Sequence, residues 1–180
     1  MFSKIFYIGF VVSVLLLAAC DSNNGDKSNQ SSRKGDLKLQ KESLIVANKY
    51  LVNSENTDIT NYINRHKLSV VETGSGLRYQ ITSNGTGTKA EIGNIVVLNY
   101  KVKLISGDVI YSSDENGPLQ FKIGHGGIET GLEEAILHMR VGDKAIIIIP
   151  SHLAYGLLGD SKRIPKRSTI IYEIEVTNIN

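Results

Sequence analysis

The side chains with chemistry to offer beyond ordinary charge pairing are eight tyrosines, four histidines and one cysteine in 180 residues. His66, His125, His138 and His152 have no metal-ligand spacing, and no second cysteine exists to join them, so a metal site is not expected. Gly124, Gly126 and Gly127 invite comparison with a phosphate-binding loop, but Glu129 stands where the third glycine would be. No cofactor is expected. The tyrosines are more informative. Tyr155 sits near the end of KAIIIIPSHLAYG, residues 144–156, where an unbroken β-branched run stops at Pro150. Such a run reads as a buried central strand, because branched side chains fit a pleated surface and proline cannot donate to the ladder. The chain then carries an amphipathic ring into a loop. There Tyr155 either plugs the sheet edge with a local hydrogen bond or forms the wall of a pocket.

From Gly76 onward the elements that must position these rings show a hydrophobic period of two. IVVLNYKVKLI puts Val96, Leu98, Tyr100, Val102 and Leu104 on one face against Val97, Asn99, Lys101 and Lys103. IIYEIEVTNI likewise sets Tyr172, Ile174 and Val176 opposite Glu173, Glu175 and Thr177. Both read as antiparallel strands with one wet face. Between them, GLEEAILHMRVGDKA places Leu132, Ala135, Ile136 and Met139 at helical spacing, ended by Gly142 and Asp143. The fold class expected is α+β, an antiparallel sheet wrapped around one short helix. Upstream, residues 37–68 carry a helical period, with Asn53 or Ser54 as punctuation and Thr57 or Asp58 as a cap. This predicts two short helices whose apolar stripes either pack on the neighbouring domain or pair with a second copy.

The N-terminus reads as an address rather than as part of the fold. MFSKIFYIGFVVSVLLLAAC has one lysine, an apolar stretch from Ile5 to Ala19, and small residues immediately before Cys20. That stretch is shorter than the ~20 residues a membrane-spanning helix needs. LAAC resembles the lipobox of bacterial lipoproteins, which implies removal of residues 1–19 and lipid attachment at Cys20. The mature chain would be held firmly at a membrane, since two or more acyl chains suffice, in the cell envelope facing the periplasm or the exterior. DSNNGDKSNQSSRKGD follows without one aliphatic or aromatic side chain, so residues 20–36 read as a disordered linker. Twenty basic and 18 acidic residues are spread along the chain without a basic stripe, so nucleic acid is not an expected partner.

TGSGLRYQI, VVLNYKVKLISGDVIYSS, GLEEAILHMRVGDKAIIIIPSHLAYG and IPKRSTIIYEIEV follow one another over residues 74–180. Together they resemble an FKBP-type peptidyl-prolyl cis-trans isomerase domain. With the lipobox, polar linker and helical segment in front, the arrangement is also similar to the gliding-motility-associated peptidyl-prolyl isomerase lipoproteins. The resemblance implies an FKBP-like fold that binds X-Pro-containing polypeptides in an apolar, aromatic-lined cleft. It implies that Tyr100, Tyr155 and Tyr172 line the proline pocket with Ile128 and Ile164 beside them, and that the Tyr155 hydroxyl, the catalytic group, donates to the substrate backbone. Ile110, Tyr111, Leu119 and Leu132 complete the substrate-binding set and depart from the family pattern. Ile110 and Tyr111 replace Phe-Asp, Leu119 a frequent phenylalanine, and Leu132 the tryptophan of the pocket floor, while Glu129 follows Ile128 where an aliphatic residue is common. Rotation about an X-Pro bond faces ~20 kcal/mol of lost amide resonance but makes no covalent bond. A catalytic triad is therefore not required. The function expected is isomerisation that assists folding of envelope proteins, with a non-catalytic chaperone or an adaptor in an envelope assembly as the alternative.

Overall fold

The computed structural model describes the backbone of residues 26–180, with side chains from residue 37 onward. The leader and Cys20 lie outside the described residues.

Helix α1 spans Asp26–His66, 41 residues without a break. It departs from the sequence expectation at two places. It starts inside the segment read as a disordered linker, because a lack of apolar side chains argues against packing and not against a helical backbone. Lys27, Gln30, Arg33 and Lys34 are good helix formers, and no proline interrupts them. It also passes through Asn53 and Ser54, where the sequence predicts a boundary between two helices. Polar residues there cost only a few tenths of a kcal/mol each. Thr57, expected as a cap, instead bonds back to the Asn53 carbonyl at 2.9 Å, and Thr60 does the same to Asn56 at 2.8 Å.

Two compact units divide the chain, Met1–Lys49 and Tyr50–Asn180. In the first, every described side chain from Leu37 to Lys49 is exposed, Leu37, Leu39, Leu44, Ile45 and Val46 among them. The second takes in the rest of α1 as well as the sheet, so the unit begins about 24 residues upstream of the domain start read from the sequence. Ile59 and Tyr62 are the reason. They are buried with Ile148 and Ile171 in a cluster of their own, and each buried side chain of that size contributes about 1.5–3 kcal/mol.

The sheet contains β1 (Val71–Glu72), β2 (Arg78–Ser83), β3 (Ile95–Leu104), β4 (Val109–Ser112), β5 (Leu119–Lys122), β6 (Lys144–Ile149) and β7 (Ile170–Ile179). Its order is β1-β2-β6-β7-β3-β4, with β5 paired to the first half of β3, and every pairing is antiparallel. The isoleucine strand β6 lies inside the sheet between β2 and β7, as expected. Its sequence does not alternate because neither face is wet. Ile147 and Ile149 join the main core, whereas Ile148 meets Ile59 and Tyr62. Two helices punctuate the strands: α2 (Ser113–Asn116), a single turn after β4, and α3 (Thr130–Ile136), which packs on β6. Leu132, Ala135, Ile136 and Met139 of the α3 segment are at most 1% exposed. Gly131 permits that approach, since a Cβ there would fall 2.4 Å from Ile149 Cγ2. No helix among the described residues is long and apolar enough to cross a membrane.

Candidate functional site

Register brings the first two rings together. Val102 of β3 faces Tyr172 of β7, and Tyr100 faces Ile174, so Tyr100 and Tyr172 are diagonal neighbours on the core side of the sheet. Their ring centroids are 6.3 Å apart at 48°. They form part of the wall of a cavity of about 420 Å³, completed by Val102, Tyr111, Leu119, Gly127, Ile128, Glu129, Ala154 and Tyr155. Three separate devices hold these residues in place.

The first device is Glu129, the residue before α3. It caps that helix through its backbone, whose carbonyl accepts from Leu132 and Glu133 at 3.0 and 3.1 Å. Its side chain makes no capping bond. Instead the carboxylate turns to the cleft and accepts the Tyr172 hydroxyl at 3.1 Å, close enough to Tyr155 for its charge to act on that phenol too. An acidic side chain only 9% exposed is thus partnered by a phenol. Burial, first of all, raises the proton affinity of Tyr155, and the neighbouring carboxylate of Glu129 adds to this. Burial likewise dominates the raised value of Tyr172, followed by the charge of Glu129. Both phenols stay neutral through the ordinary tyrosine range.

The second device is the loop after β6. Ser151 starts it, and the amides of Ala154 and Gly156 return to the Ser151 carbonyl at 3.1 and 2.7 Å, which fixes the backbone on both sides of Tyr155. Ser151 is itself anchored from α1. Glu55 accepts its amide at 2.7 Å and its hydroxyl at 3.0 Å, and takes the Thr169 hydroxyl at 2.7 Å.

Asp160 provides the third. The Tyr111 hydroxyl donates to Asp160 Oδ2, and the amides of Lys162 and Ile164 donate to Oδ1 at 2.8 Å each. Partial burial acts to raise the Asp160 carboxyl, but the Tyr111 hydroxyl and the amides of Ile164, Lys162 and Arg163 outweigh it and hold it below its usual value. The same hydrogen bond is the main cause of a raised Tyr111. Gly159 closes the turn at φ +73°, where a Cβ would lie 2.2 Å from the Ile164 carbonyl oxygen. Above the Tyr111 ring, at 5.6 Å, lies the Arg163 guanidinium, which donates to the Ile110 carbonyl at 2.7 Å. Asp160 thus sets a carboxylate against the hydroxyl of a cavity-lining tyrosine.

Of the residues singled out in the sequence, Tyr100, Tyr111, Leu119, Ile128, Tyr155 and Tyr172 line the cavity. Ile110, Leu132 and Ile164 do not. They are 9%, 0% and 3% exposed, members of the main core on which the cleft rests. A Leu at position 132 thus fills core volume instead of presenting a floor. Val102, Gly127 and Ala154 line the cavity without having been singled out, although Val102 shares the strand face of Tyr100. Glu129 stands out in the sequence only as a departure. Nothing local marks Glu55, whose partner Ser151 lies 96 residues away, and the turn that Asp160 closes gives no sign of its bond to Tyr111, 49 residues away.

Residues 86–177 match the family model of the FKBP-type peptidyl-prolyl cis-trans isomerases. The chain is 40% identical over 106 residues to FK506-binding protein 2 of Yarrowia lipolytica, an alignment covering 58% of this chain and 74% of that one. It is 37% identical over 117 residues to the FKBP-type 22 kDa peptidyl-prolyl cis-trans isomerase of Escherichia coli, covering 64% and 56%. The crystal structure of FkpA from Escherichia coli aligns with a TM-score of 0.63 at 25% identity, over 98% of this chain and 82% of that one. With an antiparallel sheet around α3 and a tyrosine-lined cavity on its core face, this chain belongs to the FKBP-type peptidyl-prolyl cis-trans isomerases. Its reaction is rotation about X-Pro bonds, and its substrates are proline-containing polypeptides.

Proposed function

We propose that this isomerase assists the folding of cell-envelope proteins and takes X-Pro segments into the cavity walled by Tyr100, Tyr155 and Tyr172. The observation that carries the reading is the cavity's chemistry: aromatic and branched aliphatic walls, with Glu129 as the one charged residue of the lining. An apolar cleft favours the twisted amide over the more polar planar one, which is stronger binding in the transition state than in the ground state. Ile128 and Leu119 pack the proline ring, and Tyr155 donates its hydroxyl to the substrate backbone. Ile110, Leu132 and Ile164 support the walls from below.

Attachment through a lipid on Cys20 sets the compartment, and the lipobox supports it. The row of exposed apolar side chains between Leu37 and Val52 supports self-association through residues 37–68. The resemblance to gliding-motility lipoproteins makes membrane-associated motility proteins the clients to examine first. The test is proline-limited refolding of a secreted model protein, run with the wild-type chain and with Tyr155→Phe, beside lipid labelling of Cys20→Ser in cells. Faster refolding that the Phe variant loses, and labelling that the Ser variant loses, are the expected results. Unchanged refolding kinetics, or labelling that persists in the variant, contradicts the corresponding half of the proposal.

A further inference from the structure

The carboxylate of Glu129 is out of keeping with a cleft for an apolar ring. It is nearly buried, its side chain does not cap its own helix, and its one described hydrogen-bond partner is a neutral phenol, Tyr172. A carboxylate offers about four acceptor sites, so most of them remain for a ligand. A charge in a water-poor cleft without a countercharge is costly, and it focuses its field on whatever enters. The rim adds to the same sign, since the field of Asp160 also reaches the Tyr155 hydroxyl. Arg163, the cation over Tyr111, is already engaged: it binds the Ile110 carbonyl and lies 3.7 Å from Glu115.

We propose that Glu129 is a specificity-determining residue that selects X-Pro segments carrying a lysine or arginine next to the proline. The inference rests on the assignment of this cavity as the proline site. The ammonium or guanidinium takes up the free acceptor sites of Glu129 and supplies the countercharge the cleft lacks. The basic side chain thereby improves capture, and an acidic side chain at the same place meets a carboxylate.

Exchange spectroscopy on short peptides with Lys, Arg, Leu, Gln or Glu before proline, using the purified full chain, tests this. Lys-Pro and Arg-Pro should exceed Leu-Pro in kcat/KM by about tenfold, the scale of one charge-assisted contact, and Glu-Pro should be poorest. Raised salt should compress the series. Glu129→Gln and Glu129→Ile should bring the Lys to Leu ratio to about one while Leu-Pro turnover stays measurable. Peptide affinity by fluorescence anisotropy gives the same ratio without turnover. If exchange stays at background for every peptide but Lys-Pro binds tighter than Leu-Pro through Glu129, selectivity stands and the catalytic reading falls. A Lys to Leu ratio of one in the wild type, or a ratio unchanged in both variants, overturns the proposal.

Discussion

At the scale of single residues, Tyr172 and Tyr155 line one cavity with Glu129 but have different duties. Tyr172 is 4% exposed and part of the main core, so its ring is structural before it is anything else. Tyr155 sits on a loop, lines the cavity and is only partly buried, so its hydroxyl can be removed with the ring left in place. Tyr155→Phe should keep the fold and lower kcat/KM about tenfold, as expected when an oriented donor worth about 1–2 kcal/mol is lost. The raised values of Tyr155, Tyr172, Tyr111 and Tyr62 have a thermodynamic consequence. Above the ordinary value of 10.0 the unfolded chain releases these protons while the folded chain keeps them. Stability should therefore be undiminished by these groups below pH 10 and fall progressively above it. A spectrophotometric titration should show a set of tyrosines ionising well after the rest and only as the protein unfolds. Uniform ionisation near pH 10 in the folded state contradicts this. Tyrosine identity at 100, 155 and 172 was legible in the sequence. The fate of the hydroxyl protons was not, because it depends on Glu129 turning away from the helix it precedes.

At the scale of elements, α1 is the largest departure from the sequence reading, and it changes what an appended helix does. Asn53 and Ser54 look like punctuation because they are poor helix formers, yet a continuous helix costs little there and delivers Glu55, Ile59 and Tyr62 to the sheet. A periodic pattern shows an apolar face but not what covers it. Removal of residues 26–49 should change the unfolding free energy of the second unit by less than about 1 kcal/mol, whereas Ile59→Ala should cost about 2–5 kcal/mol. Denaturant titration distinguishes the two. Glu55→Ala should leave the Ser151 amide without its acceptor, a loss of about 1–3 kcal/mol, and lower kcat/KM through the loop that carries Tyr155. Glu55→Gln, which keeps one acceptor oxygen, should recover part of both. Faster amide exchange at Ala154 and Gly156 in the Ala variant is the signature of a loosened loop; unchanged exchange there means Glu55 serves stability alone.

On the scale of the whole molecule, a strict alternation in β3 and β7 and a helical spacing in α3 were enough to read an antiparallel sheet around one helix. Local patterns fix which face of each element is apolar, whereas the order in which the strands pair is set by contacts between distant segments. What could not be read were contacts that join distant parts of the chain: Glu55 with Ser151, Tyr111 with Asp160, and the dry second face of β6. The role proposed for the cavity beside Tyr155 is rotation of X-Pro bonds. Its most direct test is the cis-trans exchange rate of an X-Pro peptide with the purified chain, against an uncatalysed relaxation of tens of seconds at room temperature. The expected result is exchange accelerated in proportion to enzyme concentration and diminished by Tyr155→Phe. Exchange at the uncatalysed rate, with a sample shown to be folded and over the basic as well as the apolar peptides, would contradict it.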